Sequence, residues 1–164
     1  MKFFQESIFI SEIVFQSELA QRGAERLKAT NEKFDKIEVW SSIQSILIAA
    51  GNISKILWPK KKYEDRGKKL RKLLKVDNDN MLRDRKFRNE LEHYDDLIDE
   101  LFNKQTPVSY IDLAMNPSIS SFGAKNCHRG YNSFDNTLVI RGQTLDLNAV
   151  LKAIDEIKIR CSSS

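Results

Sequence analysis

Arg88, Asn89 and His93 fall within the run KFRNELEHYDD, residues 86–96. Their types suit phosphate chemistry. An imidazole exists in both protonation states near neutrality and can take or give a proton in a transition state. A guanidinium is permanently charged and offers a planar fork of donors that fits phosphate oxygens. A carboxamide can hold a phosphate oxygen or orient the imidazole. The chain has two histidines, so the placement of one beside an arginine and an asparagine invites a chemical reading.

The other candidates are set in less informative contexts. His128 lies in KNCHRGY between Cys127 and Arg129. Adjacent Cys and His do not by themselves supply the geometry of a nucleophile–base pair or a metal site, and the segment reads as a polar loop. Residues 60–75, KKKYEDRGKKLRKLLK, carry nine Lys or Arg against Glu64 and Asp65. Lys60, Lys61, Lys62, Lys68, Lys69 and Arg71 could meet an RNA backbone, since clustered cations release counterions on binding phosphates; a solvated loop and helix face explains the same run. Asp95, Asp96, Asp99 and Glu100 scatter around a helix and read as solubilising charge, so no metal site and no cofactor are expected. Trp40 and Trp58 suit core packing or a helix end.

Positioning the motif requires a helix over about 81–103. At about 100° per residue, Phe87, Leu91, Tyr94, Ile98 and Leu101 share one side. Arg88, Asn89, Glu92, His93 and Asp96 occupy the other, across an arc of roughly 140°. That face is expected to be solvated, with Arg88 and Glu92 spaced as an i,i+4 ion pair. Upstream, residues 3–28 place Phe4, Ile8, Phe15 and Leu19, with Ile13 and Leu27, at spacings of three and four, which predicts an amphipathic helix. Residues 31–57 predict a second, with Asn31 as N-cap and Trp58-Pro59 as its end. A loop and short helix fill 60–75. The stretch 104–136 shows no sustained period and reads as irregular, with a short extended piece at VSYIDLA, 108–114. TLVIRG and QTLDL predict a hairpin turning at Arg141-Gly142, and a last helix starts near Asn148.

Length and composition bound the answer. The chain has 164 residues, 30% charged and 41% hydrophobic, with a formal net charge of +4. These values fit one globular domain over 1–164, divided into a four-helix core (1–103), the irregular segment (104–136), and a hairpin with the C-terminal helix (137–160). The fold class expected is all-α: an antiparallel helical bundle with a small C-terminal β-hairpin. Apolar runs are too short or too interrupted to span a bilayer, Glu6 and Glu12 break the N-terminal apolar run, and Cys127 and Cys161 form no disulfide framework. A cytoplasmic protein without a membrane partner is the expectation.

Arg88-Asn89, three residues and then His93, late in a helical bundle, resembles the HEPN superfamily. The segments GNISKILWP (51–59), RNELEHYDDLIDEL (88–101), VSYIDLAMNP (108–117) and YNSFDNTLVIRGQTLDL (131–147) are similar to one group of small stand-alone HEPN-like proteins of unassigned function. The resemblance implies a homodimer whose two motifs share one cleft. It further implies metal-independent RNA cleavage to 2′,3′-cyclic phosphate and 5′-hydroxyl ends, with Arg88, Asn89 and His93 as catalytic residues. It equally admits a non-catalytic module that binds a protein, a nucleotide or RNA, or a toxin or defence protein held by an antitoxin.

Overall fold

The computed structural model describes residues 3–104, 110–116, 119, 123 and 127–163. Helices α1 (Phe3–Ala29), α2 (Lys36–Leu57) and α3 (Glu64–Leu73) come first, with 3-10 turns at Lys61–Tyr63 and Met81–Arg83. Helices α4 (Lys86–Glu92) and α5 (Tyr94–Phe102) follow. The strands are β1 (Ala114–Met115), β2 (Arg129–Asn132), β3 (Thr137–Ile140) and β4 (Gln143–Asp146), and helix α6 (Leu147–Ser162) follows them. The chain divides into two compact units, residues 1–85 with 150–164, and residues 86–149.

In the first unit α2 is the buried element: Val39, Ile43, Ile46, Ile53 and Leu57 are fully enclosed. It starts later than Asn31. The backbone N–H groups of Thr30 and Asn31 bond back to the carbonyls of Leu27 and Lys28, so Asn31 belongs to the closing turn of α1. Asp35 caps α2 instead, its carboxylate accepting from the Glu38 N–H at 3.0 Å. Trp58 ends the helix, and Pro59 cannot extend it.

The expected apolar face of α1 points the other way. Phe4, Ile8, Phe15 and Leu19 are exposed, whereas Ile13, Ser17, Ala20 and Leu27 are buried. Small residues explain the choice. A Cβ on Gly23 would lie 3.0 Å from Ile46 Cγ1 and 3.2 Å from the Ser42 carbonyl. Gly23 thus lets α1 approach α2 closely, and it lies on the buried 13-17-20-23-27 stripe of α1.

In the second unit the fold class differs from expectation. The hairpin is present, with Arg141 (φ 50°) and Gly142 (φ 78°) both left-handed, as a two-residue turn of the type I′ sort requires. It is not an appendage to an all-α bundle. It forms half of a four-stranded mixed sheet, ordered β1-β2-β3-β4. β2 pairs antiparallel with β3 (Gly130 opposite Val139), and β1 pairs parallel with β2 (Ala114 opposite Gly130). Both added strands come from the segment read as irregular. Their sequences, AM and RGYN, carry no alternation; pairing to the hairpin edge, not local propensity, makes them strands. The remainder of that segment, 105–109 and 117–126 apart from 119 and 123, lies outside the described residues and includes part of VSYIDLA.

The inverted polarity of α1 sets a test. Ile13→Ala should cost about 2–5 kcal/mol in urea unfolding, and Phe15→Ala should stay within about 0.5 kcal/mol. The reverse ranking would put the large apolar stripe inside.

Candidate functional site

The predicted helix over 81–103 is not continuous. Met81–Arg83 is a 3-10 turn, and α4 ends at Glu92. His93 (φ −107°, ψ 43°) leaves helical geometry before α5 begins at Tyr94. The motif therefore straddles a break, with its histidine on the non-helical residue. The His93 imidazole is exposed. Its backbone N–H still donates to the Asn89 carbonyl at 2.9 Å, so it stays one helical turn beyond the asparagine.

Arg88 departs from the solvated face expected of it. Its side chain is only 15% exposed, and Glu92, at 42%, accepts from Nη2 at 2.5 Å. Nη1 donates to Asn89 Oδ1 at 3.2 Å. Its Nε is buried without a hydrogen-bond acceptor, a condition that costs about 1–3 kcal/mol. Asn89 thus links the motif twice, through its side chain to Arg88 and through its carbonyl to His93. Of the acidic residues in this stretch, Glu100 pairs with Arg141 at 2.7 Å. Among the described residues no three His, Cys, Asp or Glu side chains gather as a metal site.

Sequence spacing misses a second polar cluster in this unit. His128 is not a loop residue at the surface; it is 5% exposed, directly before β2. Its backbone bridges Ile111 and Arg141: its N–H donates to the Ile111 carbonyl at 2.7 Å, and its carbonyl accepts from Arg141 at 2.9 Å. Tyr94 meets the imidazole edge-on at 5.0 Å between centroids, and Tyr110 lies at 5.6 Å. Next to it Arg129 grips Asp112 through Nε at 3.0 Å and Nη2 at 2.7 Å, while its guanidinium carbon sits 3.6 Å above the centre of the Tyr94 ring. Tyr110 donates to Asp112 at 3.2 Å, which leaves its oxygen to accept from Tyr94 at 3.0 Å. Burial, reinforced by that hydrogen bond, pushes the Tyr94 hydroxyl up, so it remains a donor. Burial also acts on Asp112, but the Arg129 hydrogen bonds and charge outweigh it and hold the carboxyl below its usual range.

The cluster serves the motif by position. Tyr94 is the first residue of α5, so gripping its ring between Arg129 and His128 fixes the chain where it leaves His93. The only sequence signal for it was opposite charges in two loop-like segments, and their pairing depends on the register of β1 against β2. Cys127, by contrast, forms no reactive dyad with His128. It is buried beside Ala114 and Ile119, and burial raises its thiol pKa.

The six cations proposed for RNA contact separate. Lys61, Lys68 and Arg71 line one cavity of the first unit with Arg83 and Arg85, which the sequence reading passed over. Lys60, Lys62 and Lys69 are exposed and do not line it. Trp40 and Trp58 are buried, as a packing role requires.

Burial lowers the His128 pKa from its ordinary 6.5, with Asp112 opposing and Arg141, Arg129 and Lys104 reinforcing. The unfolded chain therefore takes up a proton near pH 6.5 that the folded chain refuses, so folding stability falls as pH drops through 6.5 toward the folded pKa. Urea midpoints at pH 7.5 and 5.5 should show a smaller acid-induced loss for His128→Gln than for the wild-type chain. Equal losses would show that His128 titrates normally.

No family model, curated protein or solved structure matches the chain, and what its site can do follows from its residues and distances.

Proposed function

We propose that the protein is a metal-independent RNA endonuclease working through Arg88, Asn89 and His93. One observation carries the reading: an exposed imidazole at a helix break stands one turn beyond Asn89, whose side chain in turn holds a mostly buried arginine. The arginine sits on helix α4 and the imidazole on the residue that ends it, and preorganised groups act on developing charge without reorganisation at the moment of reaction.

In the proposed reaction the ribose 2′-oxygen attacks its own 3′-phosphorus. The 2′-O–P bond forms, the P–5′-O bond breaks, and a 2′,3′-cyclic phosphate and a 5′-hydroxyl result. A base takes the 2′-OH proton and an acid gives one to the departing 5′-oxygen. His93 supplies one of these roles. The same residue of a second copy supplies the other, so the working form is a homodimer. Arg88 offers its guanidinium to the phosphate oxygens as charge builds. Asn89 keeps the arginine and the backbone of His93 in register.

Incubation of RNA with the chain in EDTA should yield fragments with cyclic-phosphate ends. His93→Ala should abolish them while leaving the unfolding free energy within about 0.5 kcal/mol, because the residue is exposed. Equal cutting by His93→Ala would exclude the assignment.

Glu92 competes with the substrate for Arg88. A half-exposed i,i+4 pair is worth about 0.3–0.5 kcal/mol. Glu92→Gln should therefore lower KM for RNA by about twofold, the equivalent of that energy. A large loss of kcat instead would make Glu92 part of the chemistry.

A further inference from the structure

Lys61, Lys68, Arg71, Arg83 and Arg85 converge on one cavity of about 540 Å³, a volume that suits a small molecule. They come from three places: the 3-10 turn at Lys61–Tyr63, helix α3, and the segment ending at Arg85. Glu64 is the one carboxylate in the lining, and it is taken by Lys68 at 2.9 Å. Four formal positive charges are left over in a single concavity.

Two of the three arginines are tethered to backbone carbonyls. Arg71 Nη1 donates to the Leu57 carbonyl, which ends α2, and Arg83 Nη1 donates to the Asn78 carbonyl at 3.3 Å. Arg71 is close enough to Arg83 that burial and then the charge of Arg83 lower its pKa. Gly67 keeps the frame tight: a Cβ there would lie 2.5 Å from Pro59 Cδ and 2.6 Å from the Leu57 carbonyl. Like charges held together on fixed backbone form a preorganised anion site.

We infer that this cavity binds a linear oligophosphate, either free or as the phosphate tail of a nucleotide. An extended RNA strand carries its phosphates spaced along a line and calls for cations in a row; here they surround one hollow. Recognition stops at the phosphates. Trp58 is 8% exposed, its Nε1 donates to Asn78 at 3.2 Å, and Arg71 lies 5.6 Å from its ring centre, so no open aromatic face awaits a base. The site is independent of the RNA-cleavage reading and belongs to the first unit alone.

The test is calorimetric titration of the full chain, in EDTA, with sodium tripolyphosphate, ATP, GTP and a single-stranded oligouridylate. Tripolyphosphate should bind, and Lys61→Ala and Arg85→Ala should each weaken it about tenfold with the unfolding midpoint unchanged; Lys61 is exposed and Arg85 half-buried, and neither belongs to the apolar core. ATP and GTP competing equally for that site assigns the nucleotide tail, while tripolyphosphate alone assigns the free anion; both outcomes support the site. No binding by tripolyphosphate, unchanged affinity in both variants, or an oligouridylate that binds and is not displaced by tripolyphosphate would overturn it.

Discussion

The second unit is organised around the bidentate pair between Arg129 and Asp112. Arg129 opens β2 and Asp112 precedes β1, so the pair spans the parallel junction of the sheet. With side chains only 17% and 13% exposed, neither charge could be left there alone without a desolvation cost of several kcal/mol. The same guanidinium covers the Tyr94 ring, and the same carboxylate anchors the tyrosine hydroxyl chain. One salt bridge therefore joins the sheet to the start of α5. The hairpin alone would be marginal in water, and strands as short as β1 need such a tie.

This arrangement accounts for the shape of the motif. A continuous helix would put Arg88 and His93 on one solvated face. Anchoring Tyr94 to the sheet side instead breaks the helix at His93, leaving the histidine open and the arginine sheltered. The two groups gain different environments from one backbone event. An arginine keeps its charge when sheltered, because its pKa is far above neutrality. An exposed imidazole keeps access to solvent protons.

The basic run at 60–75 shows how charge can serve stability and binding in one place. Arg66 donates to the Lys55 carbonyl and Arg71 to the Leu57 carbonyl, meeting orphan acceptors at the end of α2. Arg66 also lies over the Phe9 ring at 4.4 Å. Having docked α3 in this way, the run presents its remaining cations to a cavity completed by Arg83 and Arg85. A basic count in the sequence cannot separate these duties.

Local chemistry determined a good part of this protein. Apolar spacing located α1 and α2, Trp58-Pro59 ended α2, and Arg141-Gly142 marked the hairpin turn, because helix periodicity, a missing proline donor and left-handed backbone are properties of a few neighbouring residues. The spacing of Arg88, Asn89 and His93 drew attention to the candidate site. Tertiary structure alone decided the rest. It turned α1 so that Gly23 met α2 while Phe15 stayed exposed, since close packing rewards a narrow contact as well as an apolar one. It made strands of AM and RGYN by pairing them to a hairpin edge. It buried His128, joined Asp112 to Arg129 across 17 positions and broke the motif helix. Each of these depends on groups distant in sequence, whose burial and pairing energies appear only when the chain has brought them together.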